Sequence, residues 1–377
     1  MAIDPIYLDH HATTPCDPRV VEKMLPFFTD LFGNPASLTH QHGRRAANHL
    51  EDSRIAIARF LRVEPNEIYF TAGATESNNI ALNLVRPGDH LITSVSEHRS
   101  ILAPAERLQK HGVDVTLVEP DGEGRVEADV IEAAIRPNTR LVSIEAANGE
   151  IGTIQPIAAI GAICRERNIL FHSDITQAAG KVSVSLANVD LASFSAHKVY
   201  GPKGIGALYV RRGVRIEPLV TGGGQEKGVR SGTVNVPGAV GFATALQIRG
   251  EEMHAEAARL AEVRDAIREG VLQEIDGVTV NGSRTLRLPG NLNVSFERID
   301  AESLIIAMKR FALSSGSACS SGERGPSRVL RAIGLSEAMA MGSIRIGLGK
   351  SNTMEHAQML VEDLKRVVAR LREISAA

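Results

Sequence analysis

Between residues 45 and 250, apolar runs of strand length alternate with stretches whose apolar residues recur at helical spacing. The runs are EIYF (67–70), HLITS (90–94), VDVTLVE (113–119), RLVSIEAA (140–147) and NILFHSDI (168–175), with helices expected from Glu76 and over 126–136 and 156–167. A strand covered on both faces has no polar side to show, so it reads as nearly continuous apolar sequence. The pattern therefore predicts an α/β domain built on a mostly parallel sheet. After Gly250 the rhythm changes to a long charged amphipathic helix (251–272), VTVNG, NLNVSFE, a helix near 301–311, a loop over 314–327, SIRIGLG and a last helix. Such an order reads as α+β. The expected division is a large α/β domain over 15–250 and a smaller α+β domain made of 251–377 and the arm 1–14.

Composition narrows the class without naming a chemistry. A chain of 377 residues with 43% apolar and 23% charged residues has the balance of a globular protein too long for one core. Its formal charge of −2 gives no electrostatic footprint for direct nucleic-acid binding. No apolar run approaches a membrane span, and MAIDPIYLDHHATTP lacks the basic and apolar segments of a secretory signal. The cysteines Cys16, Cys164 and Cys319 lie far apart with no CxxC pair, so neither a disulfide framework nor a metal site is expected, and a cytoplasmic location is.

Candidate chemistry gathers where the expected strands end. LASFSA stops at His197-Lys198, and the turn GPKGIG leads into ALYV. A lysine at a strand end, with Ser195 and His197 beside it, can hold a phosphate or bind a carbonyl carbon covalently; alone, it would read as an ordinary surface lysine. Asp174 in HSDITQ precedes it by one strand–helix–strand crossover, which would aim both side chains from one sheet edge. A carboxylate that holds a protonated ring nitrogen and a lysine that holds the ring's aldehyde form the pyridoxal phosphate arrangement. In TAGATESNN (71–79), Gly73 opens a helix whose N–H groups, with Ala74 and the Thr75 hydroxyl, suit a phosphate. His98, past HLITS, has a flat ring suited to stacking and proton transfer near neutral pH. Asn148 and Gln177 are amides suited to a phenolate oxygen, and Arg230 and Arg345 are candidate carboxylate clamps. Cys319 sits in SSGSACSSGERGPS (314–327), which has almost no apolar anchor and so suits a nucleophilic thiol, whereas Cys164 in IAAIGAICRERN reads as core.

Together the motifs resemble the cysteine desulfurases, a branch of the class V, fold-type I pyridoxal phosphate enzymes. The resemblance rests on YLDHHATTP, FGNPAS, FTAGATESNN, SEHRSIL, NGEIGTIQPI, DITQAAGK, SFSAHKVYGPKGIGALYVRR, GGGQEKGVRSGT, NLNVSF, SSGSAC and SRVLRAIG, in order over most of the chain. It implies a seven-stranded-type sheet in the large domain, pyridoxal 5'-phosphate as cofactor and L-cysteine as substrate. It also implies a homodimer and a protein sulfur acceptor such as an iron–sulfur scaffold. Lys198 would carry the cofactor, Asp174 would meet its ring nitrogen and His98 would stack on the ring. Asn148 and Gln177 would touch the ring substituents, and Ala74, Thr75, Ser195 and His197 would hold the phosphate. Thr233 would reach the phosphate in the neighbouring subunit, Arg345 with Asn34 would bind the substrate carboxylate, and Cys319 would carry a persulfide. The chain departs from the common pattern at Ala146-Ala147-Asn148-Gly149-Glu150, where relatives often read His-Val-Asn-Asn-Glu, and at Ser173 and Ile175. It closes on LREISAA, short of a docking tail known in housekeeping members, which leaves the acceptor open. The nearest alternative is another class V activity, such as a selenocysteine lyase. A non-catalytic scaffold is the more distant one, and the presence of both Lys198 and Cys319 argues against it.

Overall fold

The computed structural model describes residues 4–315 and 325–376. In chain order its strands are β1 (Ile6–Tyr7), β2 (Ile68–Thr71), β3 (His90–Ser94), β4 (Asp114–Val118), β5 (Thr139–Ser143), β6 (Leu170–Asp174), β7 (Leu191–Ser195), β8 (Gly206–Val210), β9 (Val278–Asn281), β10 (Asn291–Phe296), β11 (Phe311–Ala312) and β12 (Ser343–Gly347). Seven of them form one sheet in the order β2-β8-β7-β6-β5-β3-β4. From β7 across to β4 every pairing is parallel, and β8 alone runs against its neighbours β7 and β2. The central strands β3, β7 and β8 are buried at every position, which is why they read as unbroken apolar runs. The expected strand over 140–147 is assigned only to Ser143, yet its ladder goes on. The N–H groups of Ile144 and Ala146 donate to the carbonyls of His172 (3.1 Å) and Asp174 (2.9 Å).

Buried charge pins the edge strand that leads into the site. Arg54, on the helix Gln41–Leu61, donates to both carboxylate oxygens of Glu226 at 2.8 Å and to the Ile68 carbonyl at 2.6 Å. The Phe70 N–H donates to the same Glu226 at 2.7 Å, so every oxygen of this buried carboxylate is satisfied. Beyond β2 the chain passes Gly73 and enters the helix Ala74–Leu82. Here a close approach fixes the residue type: a Cβ on Gly206 would lie 2.6 Å from the Gly73 Cα.

The expected helix over 251–272 begins much earlier. A single helix, Val236–Glu274, runs straight through Gly250. Its first part, up to Leu246, packs into the core that covers the large sheet. From Leu260 onward, Val263, Ile267 and Val271 belong to a second core with β10, β12 and the helix Met354–Ala376. One helix thus feeds two cores, and its two halves carry different patterns because they meet different surroundings. A three-stranded antiparallel sheet, β12-β10-β9, backs the second core. The N-terminal arm joins it: β1 pairs with β11, Asp9 bridges Gly347, and Leu8 is buried in that core.

Candidate active site

The carboxyl ends of the large sheet open onto a cavity of about 770 Å3, where α/β architectures collect ligands. Ala74, Thr75, His98, Asn148, Asp174, Gln177, Ser195, His197, Lys198 and Arg345 all line it. Asn34 and Thr233 are not among the described lining residues: Asn34 is exposed and caps Ala36 at 2.9 Å, and Thr233 is exposed ahead of the long helix. Arg230 is paired with Glu76 at 3.0 Å instead of lining the cavity. Cys319 lies outside the described residues. The positions flanking its segment do not: Ser314 is bridged to Arg345 on β12, and Gly325, Pro326 and Ser327 line the cavity.

Lys198 follows β7 in a short 3-10 turn, and its Nζ donates to the carbonyls of His11 (2.6 Å) and Ala12 (2.7 Å) on the arm. Asp174 closes β6 almost fully buried. Its Oδ1 accepts from the Thr176 N–H at 2.9 Å and its Oδ2 from Asn78 Nδ2 at 2.7 Å. Asn78 also donates to Ser100 Oγ (2.8 Å), which is 2.7 Å from His98 Nδ1. The Ser100 N–H donates to that same ring nitrogen at 3.1 Å, so Nδ1 is the acceptor and the proton sits on Nε2. The carboxylate and the imidazole are thereby tied through Asn78 and Ser100, neither of which the motifs had singled out. Asn78 lies four residues after Ala74, one helical turn, and that spacing was the available signal.

At the phosphate-sized end, the Ala74 N–H donates to Ser195 Oγ at 2.7 Å, and Gly73 leaves the first turn of its helix without a side-chain cap. His197 Nδ1 is 3.1 Å from Thr13 Oγ1. Burial, with Lys198, Lys203 and Lys181 nearby, lowers its pKa to about 4, so the ring is neutral near pH 7. Arg345 is buried opposite. Its Nη2 meets Asp9 Oδ1 at 2.7 Å, its Nη1 meets the Gly149 carbonyl at 3.2 Å, and its buried Nε has no hydrogen-bond partner. An orphaned guanidinium N–H at a cavity wall suits a carboxylate ligand. This donor set (a lysine amine, a buried carboxylate across from it, and a helix start with Ser195 at one end) fits an anionic aromatic aldehyde with a phosphate.

Asn148, expected at a ring substituent, is also bonded within the cavity wall. Its Nδ2 donates to the Ser96 carbonyl (3.1 Å) and Glu145 Oε1 (2.7 Å), and its Oδ1 accepts from the N–H groups of Glu150 (2.9 Å) and Ile151 (3.0 Å). Both amide hydrogens are committed to Ser96 and Glu145, and the oxygen to the turn that follows. Glu97 and Glu145 are further residues of the cavity wall that the motifs did not reveal, both buried, with the Glu145 N–H donating to Glu97 Oε1 at 2.6 Å. Burial, then repulsion from Glu145, lifts the Glu97 carboxyl well above its usual range, and burial lifts Glu145 to about 8. The folded chain thus holds a proton that the unfolded chain gives up near its ordinary value of 4.5. That contribution to stability is present below the ordinary value and is lost as pH rises through the raised one. Glu145→Gln is therefore expected to flatten the fall in thermal midpoint between about pH 5 and about pH 8. An unchanged slope in thermal melts across that range would contradict the assignment.

The α/β architecture with its mostly parallel seven-stranded sheet is that of the fold-type I pyridoxal phosphate enzymes. The chain belongs to the class V aminotransferase family, which it matches over residues 6–360. It is 48% identical, over 98% of its length and 94% of the relative's, to the cysteine desulfurase IscS of Anaeromyxobacter dehalogenans (strain 2CP-C). A solved NifS-like protein superposes with a TM-score of 0.90 at 38% identity, covering 97% of this chain and 100% of that one. The structure described as SspA in complex with cysteine gives a TM-score of 0.81 at 39% identity, over 91% of this chain and 98% of its own. Among the described residues, no helix is long and apolar enough to cross a membrane.

Proposed function

We propose that this chain is a pyridoxal 5'-phosphate-dependent cysteine desulfurase that converts L-cysteine to L-alanine and keeps the sulfur as a persulfide on Cys319. The observation that carries the reading is the convergence of Lys198, Asp174 and Arg345 on one cavity that Gly325, Pro326 and Ser327, after the Cys319 segment, also line, while Ser314 before it is bridged to Arg345. Lys198 would attach the cofactor, Asp174 would face its ring nitrogen, His98 would cover the ring, and Gln177 would meet its phenolate oxygen. Ala74, Thr75, Ser195 and His197 would hold its phosphate. When bound, the cofactor supplies an electron-withdrawing ring that accepts the electrons left as the substrate's Cα–H bond breaks.

The rest of the work falls to the chain. Arg345 would take the substrate carboxylate on the edge that now offers an unpartnered Nε, fixing the amino acid's orientation. The Lys198 amine, once its place on the cofactor is taken by substrate, would accept the α-proton, with the His11 and Ala12 carbonyls stabilising the ammonium that results. Cys319 as thiolate would attack the substrate sulfur. The new S–S bond forms, the Cβ–S bond breaks, the bonding pair stays on carbon, and protonation there completes alanine. Ser315, four residues before Cys319, and Gly325, six after it, set the reach of that thiol. Asn34 would join Arg345 at the substrate carboxylate, and Thr233, also away from the described cavity wall, would reach the phosphate of the neighbouring subunit in a homodimer. The reading keeps the division into a large domain over 15–250 and a small one of 1–14 with 251–377, a cytoplasmic location, and a protein acceptor for the sulfur, as in iron–sulfur cluster assembly.

The test is made on purified protein supplied with L-cysteine and a thiol reductant. Alanine and sulfide are expected in equal amounts, from protein that carries one pyridoxal phosphate per chain and runs as a dimer in sedimentation. Protein that binds no pyridoxal phosphate, or releases sulfide without alanine, would sink the reading.

A further inference from the structure

Gln177 carries a positioning problem that its own sequence neighbourhood does not solve: an amide can face either way, and only its partners decide. Four residues along the chain, Lys181 donates from Nζ to Gln177 Oε1 at 2.7 Å. His11 Nδ1 stands 3.0 Å from the same oxygen. That oxygen has no hydrogen, so in this contact His11 Nδ1 is the donor, and it is the shorter of the ring's two contacts, Nε2 standing 3.4 Å from the Gly290 carbonyl. At the other end of the amide, Nε2 donates to the His11 carbonyl at 3.0 Å, an atom that can only accept. The lysine on the oxygen and the carbonyl facing the nitrogen set the amide's orientation, and His11 Nδ1 then completes the pair of donors on Oε1.

Nε2 keeps a second hydrogen. Gln177 lines the cavity, packed so tightly against Gly149 that a Cβ there would come within 2.7 Å of Nε2. Asn148, the other amide in this wall, has both hydrogens committed. We propose that Lys181 is a positioning residue that, with His11, holds Gln177 so that Nε2–H is offered to the cofactor's phenolate oxygen. The inference rests on the reading that the cavity binds pyridoxal phosphate.

Lys181 itself is set among the cations of Lys198 after β7, Arg249 of the long helix and Arg345 of β12, with Glu256 the nearby carboxylate. His10, His11 and Tyr200 line the same enclosed space of about 30 Å3. Burial and these cations push the Lys181 ammonium well below the usual lysine range, and burial does the same to His11. Lys181 donates an N–H in either protonation state, so the clamp survives its titration. A donor on the phenolate oxygen stabilises the anion and competes with the proton on the neighbouring nitrogen that Lys198 supplies. Losing that donor therefore raises the pH at which the bound cofactor's absorbance changes.

The experiment is a pH titration of the cofactor absorbance in the loaded enzyme, for wild type, Lys181→Met, Gln177→Ala and the double variant. Lys181→Met is expected to raise the midpoint by about one pH unit, a tenfold change in proton affinity. Gln177→Ala should raise it at least as far, and the double variant no further than Gln177→Ala alone. If Lys181→Met does not purify folded, His11→Phe removes the other donor and carries the same expectation. An unshifted midpoint in the loaded single variant, or a full additional shift on the Gln177→Ala background, overturns the inference; the second result would mean that Lys181 acts directly through its charge. A wild type that takes up no pyridoxal phosphate fails at the earlier step and overturns the functional reading itself.

Discussion

Lys198→Ala is expected to end turnover of L-cysteine, with a loss of about ten-thousand-fold or more, because in the proposed reaction one side chain would both anchor the cofactor and take the α-proton. The structure shows why no neighbour can substitute. The Nζ is delivered by the turn after β7 to the mouth of the cavity, where the carbonyls of His11 and Ala12 hold it. The nearest other amine, Lys181, is engaged with Gln177. Cofactor added back to the variant should bind weakly and exchange readily, since the phosphate cradle around Ala74 and Ser195 is untouched. A steady-state assay of alanine release measures the effect. A variant within tenfold of wild type would remove the centre of the mechanism.

Cys319→Ala separates the two halves of the reaction. Cofactor binding and the absorbance change on adding L-cysteine should persist, because the lysine, the aspartate and the arginine are all in place. Sulfide release should fall by at least about a hundredfold, since no other described thiol can replace it. Cys164 is fully buried, with its pKa pushed up to about 12 by burial, and Cys16 is half-buried with its thiol also raised. Sulfide output equal to wild type in that variant would take the persulfide role away from Cys319. Loss of the absorbance response as well would place Cys319 in cofactor binding instead.

The chain displayed its site more openly than its domain join. Strand β7 and the lysine turn were legible because a buried strand followed by Gly and Pro leaves few other readings. The helix Val236–Glu274 was legible only in its second half, where Leu260, Val263, Ile267 and Val271 form a stripe. Ahead of Gly250 the same helix is buried nearly all round, so its periodicity vanishes into small and apolar residues. Asn148 shows the other limit. Residue type and strand-end position suggested a ligand contact, and its bonds to Ser96, Glu145, Glu150 and Ile151 could not be read from the sequence beside it. Glu97, Glu145 and Lys181 escaped for a related reason. A charged residue reads as surface in a sequence, and its burial is a property of what the other strands bring alongside.

The arm at the start of the chain is stitched to both lobes within a few residues. Tyr7 pairs with Ala312 and Asp9 grips Arg345 on the small side, while His11 and Ala12 hold Lys198 and Thr14 bonds to His197 on the large side. A rocking of the small lobe would be handed directly to the reactive amine, as a pull on a short rope. Trimming the first dozen residues would cut that rope and take Leu8 out of the second core along with it.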